Sequence, residues 1–444
     1  MEPVEQFSLS NGLRFIVAPD HATPAAALSF WVQGGVCDEP RDRRGTAHFV
    51  EHMMFRGSEN VGPEEHTRRI ARLGGEANGF TLPDATVLHE TFPAAALDEV
   101  LRLEADRFQR IRFTSQHVEI ERKVILEELR GHENNPFSRA LRRLLEEVGG
   151  DHPYAIDPLG RESDLEALKL DELWAFYRRW YKPGNVFVVA SGDVARSRVE
   201  ELAGRHFGEW QDDSQAPARP SAPAFLARAG RLALRLPLEL PMVVRVHRLA
   251  PGAEQDAPAT DLLMSLLTSG ESSPLREALV KKSGWCVEAG GEVFQFRQGG
   301  AAAFYAVFLP PGRHGPRRRR LKEVCEALAH DGPDPARFAQ HIRQFRVERA
   351  LESYSPGERV LGLGDAELVG GDYRKYEREL EELAEVTPER VRSLARRLFA
   401  PQTTLELDII PERTRWWLAP LGLLLRLRPP VARPRPEPMP TGTE

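Results

Sequence analysis

The chain has 444 residues, 41% of them hydrophobic and 28% charged, and carries a formal net charge of −6. This is the balance of an ordinary globular protein with room for two or three domains, and without a domain-scale basic excess it speaks against nucleic acid as a partner. Three cysteines, Cys37, Cys286 and Cys325, show no metal-type spacing and cannot all pair, which argues against a disulfide framework.

The N-terminal stretch MEPVEQFSLSNGLRF has early acidic residues and no apolar run ahead of a small-residue cleavage site, so no secretory signal is expected and a cytoplasmic location follows. EQFSLS and LRFIVA, on either side of Asn11-Gly12, predict a hairpin with a tight primed turn. PAAALSFWVQGG reads as a further strand. Helical patterns follow in TAHFVEHMMF, flanked by Gly45 and Gly57, and in PEEHTRRIARLGG, with Pro63 in its first turn and Gly74-Gly75 as its stop. Two short strands, EANGFT and TVLHETF, precede long helical patterns from Ala95 to about Arg112 and from about Ser115 to about His132. DELWAFYRRWY is another helix and leads into the apolar strand NVFVVASGDV.

Residues 212–223, DDSQAPARPSAP, combine three prolines with no bulky apolar residue and read as a linker. Beyond them the same grammar restarts. RLALRLPLELPMVVRVHRL gives strands, TDLLMSLLTSG and SPLREALVKKSG give helices, and AAAFYAVF gives a strand. The second half closes as the first does, with a helix (TPERVRSLARRLFA) and then a strand (TTLELDII). The expected architecture is therefore α+β, in two related halves at 1–211 and 224–412. The basic run Arg317 to Arg320 reads as a solvated loop or helix start. Residues 413–444 change character: an apolar, aromatic run and then six prolines within 429–440, expected to be disordered. The run from Trp416 to Leu425 is too short for a bilayer, which needs about 20 residues. Residues 416–427 are expected to pack on their own domain, on a partner, or shallowly on a membrane.

The chemistry concentrates in HFVEH, residues 48–52. Positions i and i+4 share a helix face, so His48 and His52 can bind one metal ion, and Glu51 lands close enough to reach water held there. Zinc suits such a site, keeping one position open for water when it is catalytic. Chance spacing on an exposed helix is the alternative. Phe49, Met53, Met54 and Phe55 make this helix at least partly buried, and polar groups there need partners.

A third ligand has to come from elsewhere, and the helix SQHVEIERKVILEELRGH offers several acids. Val118, Glu121, Ile125 and Glu128 fall on one stripe, an apolar face broken by two carboxylates. Glu127 lies about 100° away from it, and Glu119 also faces away. Glu128 is the choice for third ligand, and Glu121 for a carboxylate that orients a ligand histidine or the site water.

With HFVEH followed by ERKVILEE, the chain resembles the pitrilysin/insulinase (inverzincin) family of zinc peptidases, whose H-x-x-E-H motif is followed some 75 residues later by a glutamate in a similar context. GTAHFVEHMMFRGS, LGGEANGFTLPDATVLHETFP, HPYAIDPLGRESDL and RRWYKPGNVFVVASGDV are similar to family segments and occur in family order. The resemblance covers nearly all of the first half and, more faintly, the second. It implies in each half a mainly antiparallel sheet packed against helices, and one zinc ion per chain on His48, His52 and Glu128. It also implies Glu51 as general base, Glu121 in support, and EANGFT as an edge strand where a peptide substrate pairs, with Asn78 and Gly79 beside the site. A simple turn or strand end is the alternative for Asn78 and Gly79.

One departure matters. The family's second half usually supplies an arginine and a tyrosine that bind substrate and polarise the scissile carbonyl. In SSPLREALVKKSGWCV those positions fall on Val280 and Val287, with Lys281 available if the register slips by one. The resemblance thus implies the metal-bearing subunit of a pair, working with a related subunit as a heterodimer, or as a homodimer. The competing reading is a non-catalytic scaffold of the same fold, which would need no Glu51.

Overall fold

The computed structural model describes residues 2–150, 152–211, 225–226, 229–252 and 256–413. The expected linker at 212–223, and all of 413–444 except Arg413, lie outside the described residues. Among the described residues no helix is long and apolar enough to cross a membrane.

In the first half, β1 (Glu5–Ser8), β2 (Arg14–Pro19) and β3 (Ala25–Val32) are followed by α1 (Thr46–Met53) and α2 (Glu65–Arg72). Then come β4 (Glu76–Thr81), β5 (Thr86–Pro93), α3 (Leu97–Gln109), α4 (Ser115–Asn134), α5 (Pro136–Gly149), α6 (Glu162–Ala167), α7 (Leu170–Trp180), β6 (Val186–Gly192) and α8 (Arg196–Phe207). The second half runs β7 (Gly230–Leu236), β8 (Met242–Leu249), α9 (Ala257–Thr268), α10 (Pro274–Arg276), β9 (Glu288–Phe296), β10 (Gly299–Val307) and α11 (His314–Asp331). It ends with α12 (Pro335–Ser353), α13 (Pro356–Gly370), α14 (Arg374–Ala384), α15 (Pro388–Leu398) and β11 (Thr404–Pro411).

The two sheets share one topology. The first has the order β1-β2-β6-β3-β5-β4 and the second β7-β11-β8-β10-β9. In each, the first strand of the repeat pairs parallel with the last (β2 with β6, β7 with β11) and the remaining pairs are antiparallel. β4 and β9 each end their sheet. The repeat inferred from the order of elements is therefore an α+β repeat in three dimensions.

β3 and β6 read as nearly unbroken apolar runs because both faces of the first sheet are covered. One face packs on its own helices, in a core that includes Phe30, Phe49, Leu88 and Phe108. The other face packs on α13 from the second half: Trp31, Phe187 and Val189 meet Val360, Leu363 and Leu368. The exchange is reciprocal, since Ala140 of α5 packs with Leu234, Val244 and Leu407 of the second sheet. Ser29 Oγ donates to the Val360 carbonyl at 3.2 Å and accepts from Trp31 Nε1 at 2.9 Å, which satisfies buried polar groups within that contact.

Two local expectations change. The β1–β2 hairpin forms, but Leu9 and Leu13 also pair, leaving Ser10, Asn11 and Gly12 as a three-residue loop in which Gly12 alone has a positive φ, +90°. A tight primed turn does not form because Asn11 is engaged elsewhere: its amide donates to the Phe207 and Trp210 carbonyls at 2.8 Å each. The basic run opens α11, yet only part of it is solvated. Arg317 is buried, 4.7 Å from the Phe308 ring centroid, and Arg318 bonds Asp408 at 2.6 Å.

Candidate metal centre

The site forms where α1 crosses α4 beside the end of β4. The helical repeat of α1 turns Phe49, Val50 and Met53 into the core and leaves His48, Glu51 and His52 facing α4 and β4. Glu39 starts that helix by accepting from Gly45 N at 3.0 Å and Ala47 N at 2.8 Å, two donors without intrahelical partners.

His48 Nε2 lies 3.8 Å and His52 Nε2 3.6 Å from the same Glu128 oxygen, Oε2. These distances are too long for hydrogen bonds. They are near those expected of ligands sharing one ion, because donors about 2.0–2.2 Å from zinc at a tetrahedral angle stand roughly 3.3–3.6 Å apart. His48 Nδ1 is buried without a hydrogen-bond partner, so hydrogen bonding leaves this ring unsatisfied. Two imidazoles and a carboxylate, with ligand atoms within 4.8 Å of one another, fit a zinc ion.

Behind the ligands, Glu121 Oε2 meets His52 Nδ1 at 2.8 Å, and Arg56 bonds the other Glu121 oxygen. That contact keeps a proton on His52 Nδ1 and turns Nε2 toward the Glu128 carboxylate, as the nitrogen that would meet an ion. On the β4 side, Thr81 Oγ1 donates to Glu51 Oε2 at 2.6 Å. Gly79 lies so close that a Cβ there would stand 3.2 Å from Glu51 Oε1 and 2.9 Å from Leu88 Cδ2. Asn78 is exposed and its Oδ1 accepts from Gly79 N at 2.9 Å, so it lies on the edge strand without touching Glu51. Glu127 points away and pairs with Arg130 at 2.6 Å, and Glu119 is exposed.

The electrostatics suit a cation. Burial, followed by the charge of His52, pushes His48 down to about 4. Burial opposes a charge on His52 as well, but the bond to Glu121 and the nearby Glu128 carboxylate prevail and raise it to about 9, so a metal ion would have to displace a proton from Nε2. Burial raises Glu51, and Thr81 acts against that rise. The nearness of His52 holds Glu128 below the usual carboxylate range. A second cluster, His66, Glu90 and Glu104, also lies within ligand distance. It is already occupied: Arg107 Nη2 binds Glu104 at 2.5 Å and Glu90 at 2.8 Å, and His66 binds Glu104 at 2.6 Å. It serves as a buried ion network.

Thr81 and Arg56 did not emerge from the sequence. Arg56, one helical turn after His52, carried a usable signal, whereas Thr81 is brought in by the strand. Val280 packs at the edge of the second core and Val287 is partly exposed. Lys281 Nζ lies 3.7 Å from both Glu271 and Glu277.

Residues 14–158 match the family model described as insulinase (peptidase family M16), and residues 167–345 match the peptidase M16 inactive domain. An uncharacterised zinc protease of Mycobacterium leprae is 28% identical over 395 residues, 88% of each chain. Zinc protease PqqE of Helicobacter pylori is 27% identical over 329 residues, 73% of this chain and 74% of that one. Among solved structures, a protease from Helicobacter pylori superposes with a TM-score of 0.85 at 23% identity, over 92% of this chain and 99% of that one. Pitrilysin matches with a TM-score of 0.74 at 16% identity, over 92% of this chain but 45% of its own length, and these two likenesses bear on the fold. With both family models matched in order along a chain that folds as these peptidases do, the protein belongs to the M16, or insulinase, peptidase family.

Proposed function

We propose that the chain is a zinc-dependent endopeptidase subunit that hydrolyses peptide bonds in extended peptides or unfolded segments. The observation that carries this reading is the grouping of His48, His52 and Glu128 around one point, with Glu51 between them and an edge strand. Zinc held by these three residues would polarise the scissile carbonyl and bring water's pKa toward neutrality. Glu51, beside His52 on the same helix and held by Thr81, would take the proton of the attacking water and return one to the leaving amine. Thr81 fixes one Glu51 oxygen and leaves the other toward Gly79. Glu121 is a positioning residue that acts through His52. The free edge of β4 offers backbone donors and acceptors on which an extended substrate can lie as an added strand, past Asn78 and Gly79.

Val280 and Val287 offer no hydrogen bond to a developing oxyanion, so a related subunit, or a second copy, supplies that part of the site. The inactive-domain model covers residues 167–345 and stops short of His48 to His52. The presence of the base and all three ligand types favours catalysis over a scaffold role. Metal analysis with hydrolysis of a quenched peptide library tests the reading. One zinc per chain is expected, with activity lost to a chelator and restored by zinc, and enhanced by the related subunit. A chain that takes up no stoichiometric zinc contradicts it.

A further inference from the structure

The second half holds a cavity of about 330 Å³ where α9, α12, α13 and α14 meet beside β9. Its volume lies at the low end of the roughly 300–1,000 Å³ of small-molecule sites. Its place in the fold is informative. The topological match of the two sheets makes α9 and α12 the counterparts of α1 and α4, whose crossing builds the metal centre. Asp261 and Ser265 on α9 have the i, i+4 spacing of His48 and His52, and Ser265 Oγ contacts His341 of α12 at 2.9 Å where His52 contacts Glu121. The second half thus has the same helix crossing with a different set of side chains.

Most of the cavity's unmet groups are acceptors, the one unmet nitrogen donor among the described residues being Arg349 Nε. Asp261 and Asp365 line it and have no hydrogen-bond or ion-pair partner among the described residues. Gln295 lines it too: its amide nitrogen donates to the Ala250 and Phe296 carbonyls at 3.0 and 3.1 Å, which fixes its orientation and leaves Oε1 buried and unmet. The Tyr376 hydroxyl is buried and finds no partner of good geometry, while its ring lies 4.7 Å from the Arg349 guanidinium carbon. The terminal nitrogens of the wall's two cations are committed. Arg349 bonds Glu379 and, at 2.8 Å, Glu352, and Lys375 donates to the Gly370 carbonyl at 2.9 Å. Asp261 is half-buried and Asp365 opens to solvent at the cavity's rim; crowding by the surrounding protein raises Asp261 to about 7 and Asp365 to about 6, and the Arg349 charge acts against both rises. The acceptors are spread along the wall: no three acidic or histidine groups here come within 4.8 Å of one another, which disfavours a metal ion.

We infer that this cavity binds an organic cation carrying several N–H donors, a guanidinium or primary ammonium on a short aliphatic chain, through Asp261, Asp365 and Gln295. Such a group satisfies separated acceptors with charge-assisted bonds, which a compact ion cannot reach. The same chemistry comes from a free amine or from a basic peptide side chain, and calorimetry on the full chain separates the sources. One arm titrates agmatine and spermidine; the other titrates a short peptide with one arginine against its citrulline twin. Saturable binding in either arm is expected, with no binding of the citrulline peptide. Asp261→Asn and Asp365→Asn should each weaken it about tenfold or more, while the exposed Glu381→Gln should not change it. Neither aspartate supports another residue, so both variants should melt no earlier than the wild type. Absence of saturable binding in both arms overturns the inference. So does equal weakening by Glu381→Gln, which marks diffuse attraction to an acidic surface, or early melting of the aspartate variants, which marks a structural role.

Discussion

Thr81 reaches from the edge strand β4 to Glu51 on α1 and donates its hydroxyl across 2.6 Å, so the strand that would receive a substrate also aims the base. The bond is made to the ionised carboxylate and lowers a pKa that burial has raised. Thr81→Val removes that donor. Glu51 should then hold its proton to higher pH, and because the base works deprotonated, the acid limb of the pH–rate profile should move upward. One hydrogen bond to a charged group is worth about 1.5–3 kcal/mol, so a rate loss of roughly tenfold or more at neutral pH is expected with zinc content unchanged. An unmoved acid limb would show that Thr81 does not act on Glu51.

Gly79 gives a second test of the same junction. Gly79→Ala places a Cβ 2.9 Å from Leu88 Cδ2 and 3.2 Å from Glu51 Oε1. Leu88 belongs to the core and cannot move freely, so the strand must shift away from α1. Activity should fall with little loss of zinc, measured as turnover per bound metal. Full turnover would mean that the strand gives way without disturbing the base.

The ligand assignment separates three neighbouring acids on α4. Glu128→Gln should weaken zinc binding most, because it removes a ligand charge. Glu121→Gln should weaken it about 10–100-fold, by releasing His52. Glu127→Gln should change nothing, since that side chain is exposed and pairs with Arg130. Zinc affinities measured by competition with a chelator check the order, and equal affinities for the Glu127 and Glu128 variants would refute it.

The exchange of α5 and α13 makes a stability prediction. A Cβ on Gly364 would fall 2.0 Å from Trp31 Cε2, between two fully packed surfaces. Overpacking of this kind costs about 1–3 kcal/mol, and more where neither side can yield. Gly364→Ala should therefore lower the denaturation midpoint, and both halves should unfold in one transition, as their exchanged helices require. Two separated transitions in the wild type would show that the halves fold independently.

Much of this was legible in the chain because one period decides it. The i, i+4 spacing of His48 and His52, and the stripe carrying Glu121 and Glu128, are local facts, and the structure brings these four side chains to one place. The α+β class and the repeat were legible in the order of elements. α5 and α13 were not anticipated, since each packs on the sheet of the other half. β9 was missed because Gly290-Gly291 interrupts its pattern, and it forms on pairing with β10. The primed turn at Asn11-Gly12 failed for a similar reason: the Asn11 amide is claimed by carbonyls about 200 residues away.

If this centre hydrolyses peptides with Glu51 as its base, Glu51→Gln should separate metal binding from proton transfer. Zinc content and cleavage of a quenched peptide should be measured for the wild type and for Glu51→Gln, each alone and with any candidate related subunit. Both proteins should hold one zinc, and the variant should lose about 10²–10⁴-fold in rate, the usual cost of removing a general base. A zinc-loaded variant that keeps more than about a tenth of wild-type activity would show that Glu51 is not the base.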